Sequence, residues 1–301
     1  MGSERIEEYL EAMYKKQRTE IPVSTSTLAG ELKVSLPAVT DMLQKLEKRG
    51  LIEYKANRGA SLTEHGKRVA ALTVRRHRLW ERFLTDVLGL RWDKVHDDAC
   101  RLEHATSANT EKGLVSILGN VDTCPHGHYI PDTEGRMKEE QAMPLSEFEP
   151  GQKACILSVA EEEPALLREI ERLGLKPKTV VSVEAKGTDG SLQLKLDGKS
   201  LRLKENLATI LMARPLGSDE ETVTVKETTL SSLASGESGI VKSFAGGRGV
   251  LGRCLSMGFT PGSSVKMLEN FGRGPVLVRI HDIEVALGRG VAQKITVSNN
   301  R

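Results

Sequence analysis

Residues 94–104 read KVHDDACRLEH, and the interpretation of the whole chain starts from this stretch. Side chains three and four residues apart lie on one face of a helix. His96, Cys100, Glu103 and His104 have this spacing, so a helix would bring them together. Imidazole, thiolate and carboxylate form a mixed ligand set that suits Fe(II), Mn(II), Co(II), Ni(II) or Zn(II). The stretch therefore predicts a transition-metal site.

A second pair of candidate ligands, His77 and Glu81, lies upstream in the segment RRHRLWERF. The pair again has the i, i+4 spacing of one helix face. The alternative is that these are ordinary polar residues on a solvated helix, and for a single histidine that explanation is the better one. Six potential ligands at helical spacing in two neighbouring segments instead favour metal binding.

Length and composition limit the class of protein. A chain of 301 residues is long enough for two or three domains, and 39% hydrophobic with 28% charged residues is typical of a soluble globular protein. The formal net charge is only +2, so nucleic-acid binding would need a local basic patch. The four cysteines form no CxxC pair, which favours a reducing compartment over a disulfide framework or a zinc ribbon.

No targeting or membrane segment is expected. The N-terminal sequence MGSERIEEYLEAMYKK carries charges within its apolar pattern, unlike a signal peptide or an anchor. No stretch approaches the roughly 18 apolar residues of a membrane helix. We therefore expect a cytoplasmic protein with no membrane partner.

The N-terminal region has the pattern of a DNA-binding domain. An amphipathic helix is predicted at residues 4–17, and VSTSTLAGELKVSLPAVTDMLQKLEKRGL after it has the pattern of a helix-turn-helix. Ser35 would cap the second helix, and Pro37 is tolerated in its first turn. Exposed residues at the start of such a recognition helix contact base edges. The predicted contacts are Ser35, Leu36, Pro37, Ala38, Thr40 and Asp41 at this helix, and Thr27 on the helix before it.

A small hairpin follows, since LIEYK and ASLTE are two short strands around the turn Asn57-Arg58-Gly59. A helix-turn-helix followed by a hairpin is a winged helix. For the two basic residues of the wing, a solvated charged turn explains the sequence nearly as well as DNA binding. The predicted phosphate contacts are Lys45, Lys55 and Arg58, with Lys48 and Arg49 as further candidates.

From residue 63 to about residue 119 the pattern is helical again, with one break. Two or three helices provide too little apolar surface to form a core alone. We expect them to pack against the winged helix and against a second copy of the chain, so a homodimer is predicted.

Residues 1 to about 140 resemble the diphtheria-toxin-repressor (DtxR) family of metal-dependent transcriptional regulators, which includes iron and manganese sensors. The motifs that carry the resemblance are IEEYLEAMY, SLPAVTDMLQKLEKRGLI, RRHRLWERFLTDVLGL, KVHDDACRLEH and CPHGHYIP. They occur in the family's order and without large gaps. The resemblance implies a DNA-binding domain followed by a dimerisation domain.

The resemblance also implies a regulatory metal site formed by Glu8, Cys100, Glu103 and His104. Glu8 stands where the iron sensors have Met and the manganese sensors have Asp, and Glu11 matches a further acidic ligand of the manganese sensors. Cys100 stands where the iron sensors also have Cys. The chain thus combines features of both groups; Fe(II) is favoured and Mn(II) is the next choice.

An ancillary metal site is implied at His77, Glu81 and His96. In the iron sensors this site takes ligands from a C-terminal SH3-like domain, and the matching candidate here is Glu163 in the run Glu161 to Glu163. A solvated loop explains that acidic run equally well.

The segment CPHGHYIP invites assignment of Cys124, His126 and His128 as a metal cluster. It resembles a loop at the end of the family's dimerisation region that does not form the sensing site, so a structural loop is predicted. Cys155 and Cys254 lie in apolar strand patterns and are expected to be small core residues.

The C-terminal half is an internal repeat, because PLSEFEPGQKACILSV is echoed by TTLSSLASGESGIVKSF. Each copy has short alternating strands with turn glycines, which predicts a small β-barrel, and each resembles an FeoA-like SH3-type domain. The predicted fold is therefore multidomain α plus β. The predicted domains are a winged helix at 1–73, a helical dimerisation and metal-binding domain at 74–140, and FeoA-like domains at 144–216 and 221–299, with a linker at 214–222.

The expected function is that of a metal-dependent repressor that binds an operator, expected to be palindromic, as a homodimer and controls metal-homeostasis genes. The FeoA-like domains are expected to contact the protein's own metal site or another protein. A ferrous-iron transport accessory is the alternative, although it leaves the helix-turn-helix unexplained. An enzyme is not expected, because no positioned nucleophile, spare base or open metal position is evident.

Overall fold

The computed structural model describes residues 3–17, 20–56, 58–119, 121–138, 141–216, 226–245 and 248–299. It divides into two compact units. The first comprises Met1–Trp80, Ala99–Ser107 and Tyr129–Glu139, and the second comprises Glu81–Asp98, Ala108–His128 and Glu140–Arg301. Asn57 of the predicted wing turn and residues 217–222 of the predicted linker lie outside the described residues. Within the described ranges, no helix is both long and apolar enough to cross a membrane.

The first unit contains the predicted winged helix. Its helices are α1 (Ser3–Lys16), α2 (Thr25–Leu32) and α3 (Leu36–Lys48). All three turn their apolar side chains toward one core, in which Leu10, Met13, Leu28, Leu43 and Leu46 are fully buried. The amphipathic pattern that predicted these helices is therefore the pattern that packs them.

The turn between α2 and α3 follows from local chemistry. Lys33 ends α2 in the left-handed conformation, with a φ of 53°. Ser35 occupies the N-cap position of α3 with Pro37 in the first turn, as predicted, but the Ser35 side chain makes no capping hydrogen bond. The capping bond belongs instead to α2, where Ser24 Oγ accepts from the Thr27 backbone N–H at 3.0 Å.

The wing consists of β1 (Ile52–Lys55) and β2 (Gly59–Leu62), paired antiparallel. Ala60 also exchanges two backbone hydrogen bonds of 2.9 Å with Val23, which joins the wing to the segment before α2. A side chain at Gly59 would lie 2.4 Å from the Val23 carbonyl oxygen, so this contact requires glycine.

The helical region is more broken than the sequence pattern predicts. Helix α4 (Glu64–Asp86) is continuous, and a 3-10 helix (Trp92–Lys94), α5 (His96–Glu103) and α6 (Ala108–Leu118) follow it. The break between α5 and α6 occurs where Thr106 turns back, its Oγ1 donating to the Leu102 carbonyl at 2.7 Å. This hydrogen bond holds the segment after α5 against the end of that helix.

The second unit contains two β domains of identical topology, so the predicted repeat and fold class are confirmed. The first domain has strands in the order β3-β8-β4-β5-β6-β7 and the second in the order β9-β14-β10-β11-β12-β13. The elements of the first are β3 (Met143–Pro144), β4 (Lys153–Val159), α7 (Pro164–Leu173), β5 (Val180–Lys186), β6 (Leu192–Leu196), β7 (Lys199–Leu203), α8 (Glu205–Ile210) and β8 (Leu211–Pro215). Those of the second are β9 (Lys226–Thr229), β10 (Ser238–Phe244), α9 (Arg248–Ser256), β11 (Ser264–Glu269), β12 (Val276–Ile280), β13 (Ile283–Leu287), α10 (Arg289–Ala292) and β14 (Ile295–Asn299).

Even the irregularities of the two sheets correspond. The β4–β8 ladder shifts register between Ile156 and Ser158, and the β10–β14 ladder shifts between Val241 and Ser243. Each domain has its own buried apolar core. Of the two cysteines expected in these cores, Cys254 is buried, whereas Cys155 is only partly buried because it alternates along β4 with buried neighbours.

Candidate metal centres and nucleic-acid interface

The first cluster of potential ligands lies in the first unit, where α1, α4 and α5 present side chains to one another. Glu11 from α1, His77 from α4 and Glu103 from α5 are all buried, and their ligand atoms lie within 4.8 Å of one another. His77 Nδ1 is 2.6 Å from Glu103 Oε2, and Cys100 Sγ is 3.8 Å from the same nitrogen. Three separate elements therefore converge on one small volume.

His104 extends this cluster at the end of α5. Its Nε2 is 3.2 Å from Glu103 Oε1, and its Nδ1 is 2.9 Å from Glu7 Oε2. Arg76 binds the same Glu7 carboxylate at 3.1 Å and donates to the Glu103 carbonyl at 3.0 Å. Arg76 thus holds both α1 and the end of α5 against α4.

The two buried carboxylates of the cluster have very different pKa values. Burial raises the pKa of Glu103 to about 7, and the neighbouring Glu11 charge acts in the same direction. The pKa of Glu11 is lowered to about 2 despite its burial, because the Lys15 ammonium and His77 favour its charged form. Of these two carboxyl groups, Glu103 is therefore the one whose pKa lies near neutral pH.

Of the two α1 carboxylates that the resemblance implied, Glu11 lies in this cluster and Glu8 does not. Glu8 is exposed, whereas Glu7 contacts His104 and Glu11 is buried in the cluster. Glu7 and Glu11 are four residues apart and share a helix face, which is the sequence signal for this pair. His77, assigned by resemblance to the ancillary site, contacts Glu103 of the first cluster.

A second cluster lies in the second unit. Glu81, Cys124 and His126 are all buried, with ligand atoms within 4.8 Å of one another. His126 Nδ1 is 3.2 Å from Glu81 Oε1 and 3.4 Å from Glu162 Oε1. Glu162 also reaches His96, with 2.8 Å between Oε2 and Nδ1. Two carboxylates, one thiol and two imidazoles thus lie close together.

The loop at 124–128 is shaped to present His126 to the carboxylates. His126 Nε2 lies 2.9 Å from the Trp92 carbonyl oxygen, which can only accept, so Nε2 carries the proton and Nδ1 faces Glu81. The indole of Trp92 stacks on the His126 ring at 5.6 Å. Gly127 lets the loop pass close to the backbone of β4, because a Cβ there would lie 1.9 Å from the Leu157 carbonyl oxygen.

The second cluster strongly favours positive charge at its centre. The pKa of His126 is raised to about 12 despite its burial, through contacts with Cys124, Glu81 and Glu162. The pKa of Glu162 is lowered to about 2 despite its burial and the nearby Glu81, because three histidines surround it. A site that stabilises an imidazolium in this way is electrostatically suited to a divalent cation.

Two sequence-based assignments differ from this geometry. Glu163, the candidate taken from the acidic run, is exposed at the N-cap of α7, whereas Glu162 is the residue beside the histidines. CPHGHYIP, predicted to be a structural loop, supplies Cys124 and His126 to the cluster. The Cys-x-His-x-His spacing was the available signal for this loop, while nothing in a run of three glutamates shows which one turns inward.

The predicted DNA-contacting residues lie on the surface of the winged helix. Ser35, Leu36, Pro37, Ala38 and Asp41 are exposed at the start of α3. Thr40 is partly buried and donates to the Leu36 carbonyl, and Thr27 donates to Glu20, so both hydroxyls have intramolecular partners. The exposed basic residues of this region are Lys48, Arg49, Lys55 and Arg58, and the half-buried Lys45 forms an ion pair with Asp41.

Comparison with known proteins identifies the family. The chain is 32% identical over 224 residues to the diphtheria toxin repressor of Corynebacterium jeikeium (strain K411), a match that covers 67% of this chain and 92% of that protein. The chain belongs to the diphtheria toxin repressor family. It is also 30% identical to the iron-dependent repressor IdeR of Mycobacterium leprae (strain TN), over 59% of this chain and 83% of that protein.

Domain families and solved structures agree with this membership. Residues 1–60 match the N-terminal DNA-binding domain of iron-dependent repressors, residues 63–132 their metal-binding and dimerisation domain, and residues 143–215 and 228–299 the FeoA domain. A manganese-dependent transcriptional repressor in complex with manganese is 30% identical with a TM-score of 0.66, over 70% of this chain and all of that one. ScaR with bound Zn²⁺ is 27% identical with a TM-score of 0.60, over 70% of this chain and 99% of that one.

These matches confirm the predicted family and the prediction of a metal-dependent DNA-binding repressor of the iron and manganese type. The DNA-binding and dimerisation domains account for the N-terminal half of the chain. An iron-transport accessory, the alternative suggested by the FeoA-like repeats alone, is not favoured.

Proposed function

We propose that this protein represses metal-homeostasis genes, and that binding of Fe(II), or secondarily Mn(II), at the first cluster prepares it for operator DNA. The observation that carries the proposal is the convergence of Glu11, His77 and Glu103 within 4.8 Å from three different helices. Glu11 belongs to the helix that packs on the DNA-binding core, and the other two belong to the dimerisation region.

The residues of the first cluster fit a divalent transition metal. Carboxylates favour hard cations such as Mn(II), while imidazole and thiolate favour later metals, and both kinds of ligand are present. His77 Nδ1 already lies within 4 Å of both Glu103 Oε2 and Cys100 Sγ. The pKa of Glu103, about 7, allows this carboxyl group to lose its proton near neutral pH at little cost.

The mechanism follows from the elements that these side chains join. A bound metal would supply positive charge and directional bonds between α1 and the α4–α5 pair. Glu11, His77 and Glu103 would hold the metal, and Glu103 would bind it as the ionised carboxylate. Arg76 keeps Glu7 and the end of α5 in place. Fixing α1 narrows the range of recognition-helix positions and so favours the DNA-competent form.

The second cluster is proposed as a second metal site, with Glu81, Cys124, His126, Glu162 and His96 as its ligands. Glu162 belongs to the first FeoA-like domain, so this domain contributes directly to a metal site of the repressor. The buried Cys124 thiol has a raised pKa because of its burial and the Glu81 charge, and it binds a metal only after losing its proton. A thiolate among the ligands favours Fe(II) over Mn(II) at this second site.

The operator is proposed to be a palindrome read by a homodimer. Recognition helices of such dimers enter successive major grooves about 34 Å apart, so the protein's two-fold symmetry appears in the DNA. Leu88, Leu90 and Val115 of the helical region are exposed large apolar residues, at 53%, 39% and 36%. We propose that they form part of the surface that a second copy covers. The domain limits are proposed to be 1–73, 74–140, 144–216 and 221–299.

The proposal is tested by fluorescence anisotropy of a duplex from the gene's own upstream region, at fixed salt. Protein is titrated with chelator, then anaerobically with Fe(II), Mn(II) or Zn(II). Metal-dependent binding is expected, with at least a tenfold loss of affinity in Glu11→Gln and Glu103→Gln. Glu4→Gln, which changes an exposed carboxylate on the same helix, serves as the matched control. Equal binding with and without metal would contradict the proposed regulation.

A further inference from the structure

The start of the recognition helix presents an unusual combination of residues to DNA. Leu36, Pro37 and Ala38 are apolar and exposed, and Asp41 is the first acidic residue on the exposed side of α3. Residues three apart lie on the same helix face, so Asp41 follows Ala38 along one exposed surface of α3. A carboxylate at this place needs a specific partner, because the DNA backbone carries a dense negative charge.

The surroundings of Asp41 reduce that electrostatic cost without hiding the side chain. Lys45, one turn further along α3, contacts Asp41 Oδ2, and the Asp41 side chain is still 62% exposed. The positive charge of Lys45 offsets the negative charge of Asp41 where DNA phosphates would be near. The ion pair also restrains the direction of the side chain, since both residues belong to one rigid helix.

Hydrogen-bond chemistry then limits what Asp41 can read. An ionised carboxylate only accepts hydrogen bonds. In the major groove the donors are the exocyclic amino groups, N4 of cytosine and N6 of adenine, and carboxylates characteristically accept from cytosine N4. Guanine presents O6 and N7 and thymine presents O4, all of which are acceptors that would repel the carboxylate.

We infer that Asp41 is a specificity-determining residue that selects a cytosine at one symmetric position in each operator half-site. The neighbouring Leu36, Pro37 and Ala38 favour contact with thymine methyl groups beside that position. This inference rests on the proposed function, because it requires α3 to enter the major groove.

The competing explanation is that Asp41 and Lys45 form only an exposed helix-stabilising pair. Two substitutions separate the explanations. Lys45→Gln removes the same ion pair but keeps the carboxylate, whereas Asp41→Asn keeps the side-chain shape but adds an amide donor. Because both side chains lie at the surface, equal thermal unfolding of the three proteins is the check that folding is intact.

The experiment selects duplexes from a randomised pool with metal-loaded full-length wild type, Asp41→Asn and Lys45→Gln. Wild type and Lys45→Gln are expected to enrich the same cytosine, because a lysine that contacts phosphate contributes to affinity and not to base preference. Asp41→Asn is expected to enrich adenine there, because Asn pairs with adenine N6 and N7. A direct check follows by anisotropy: changing that C·G pair to T·A should weaken wild type about 5- to 100-fold and Asp41→Asn much less.

Each result has a definite meaning. Enrichment of the same bases by wild type and Asp41→Asn, from a pool that wild type binds only with metal, overturns the inference and leaves the proposed function standing. A change of base preference in Lys45→Gln equal to that in Asp41→Asn also overturns it. If wild type enriches no sequence with any metal, the proposed function fails and the inference fails with it.

Discussion

At the scale of single residues, the structure separates carboxylates that look alike in sequence. Glu103 and Glu11 lie in one buried cluster, yet the pKa of the first is raised to about 7 and that of the second is lowered to about 2. Lys15 forms an ion pair with Glu11 at 2.9 Å, and this neighbour contributes to the difference. The proton that metal must displace is therefore held by Glu103.

Metal binding at the first cluster is expected to release a proton from Glu103 below about pH 7. Above the pKa of Glu103 the group is already ionised, so the release falls and the metal affinity rises as pH increases from 6 to 8. Calorimetry in buffers of different ionisation enthalpy measures the protons released. In the Glu162→Gln protein, which keeps the first cluster, about one proton per metal should be released at pH 6 and few at pH 8. A proton count that is the same at both pH values would show that another group supplies the proton.

A second residue-scale prediction concerns Asp93, which is buried beside two arginines. Arg91 and Arg168 donate to its carboxylate at 2.8 and 3.1 Å, and they lower its pKa below 3.8 although burial alone would raise it. Asp93→Asn should lower the free energy of unfolding at pH 7 by about 1–2 kcal/mol.

The pH dependence of this loss has a definite sign. The Asp93 pKa is depressed in the folded protein, so its contribution is complete above about pH 4 and disappears as pH falls through the folded pKa. Urea unfolding followed by tryptophan fluorescence at pH 7 and at acid pH measures it. Glu284→Gln, which removes an exposed ion pair with Arg279, is the control and should change stability by under about 0.5 kcal/mol. A difference between wild type and Asp93→Asn that grew in acid would contradict this account.

At the scale of elements, the inward turn of one loop determines the second cluster. The chain between β4 and α7 places Glu162 beside His96 and His126, while its neighbour Glu163 is exposed. Glu162→Gln should therefore weaken metal binding at this cluster at least tenfold, and Glu163→Gln should leave it unchanged. The pair is matched, because the residues are adjacent and chemically identical.

Trp92 offers a direct readout for that comparison. Its ring stacks on His126, with Lys176 5.4 Å from the ring centre, whereas Trp80 donates to Thr106. The chain has only these two tryptophans, so a Trp80→Phe background leaves Trp92 as the sole indole. In the Glu163→Gln protein, a metal titration should change the Trp92 emission. In Glu162→Gln, the same change should need at least tenfold more metal. Equal titrations would rule out Glu162 as a ligand.

Elements with strong periodicity could be predicted from the sequence, and those determined by tertiary contacts could not. The spacing of Leu10, Met13, Leu43 and Leu46 predicts both the helices and their buried faces. The orientation of the 124–128 loop depends on the Trp92 carbonyl and on the backbone of β4, which are distant in sequence. Glu7 could not be preferred over Glu8 for the same reason, since the partners Arg76 and His104 become neighbours only on folding.

At the scale of the whole molecule, only one of the two β domains supplies a residue to a proposed metal site. The first β domain supplies Glu162 between β4 and α7. The equivalent connection in the second, between β10 and α9, has the sequence Ala245-Gly246-Gly247 and so lacks a carboxylate. We expect two divalent metals per chain rather than three.

Native mass spectrometry of the metal-loaded protein measures this number. Wild type should carry two metals per chain, and Glu103→Gln and Glu162→Gln should each carry one, because each substitution removes a ligand from a different cluster. The same spectra should show a homodimer. A third metal that survives both substitutions would place a ligand set elsewhere in the chain.

The duplicated β topology also has an evolutionary consequence. The two copies have separate cores in one chain, and we expect selection to keep a carboxylate only in the copy that holds Glu162, in the connection between β4 and α7. In the other copy, we expect surface residues outside its core and turns to change freely. In a saturation-mutagenesis survey, tolerance should therefore be low at residue 162 and high at the sequence positions between β10 and α9.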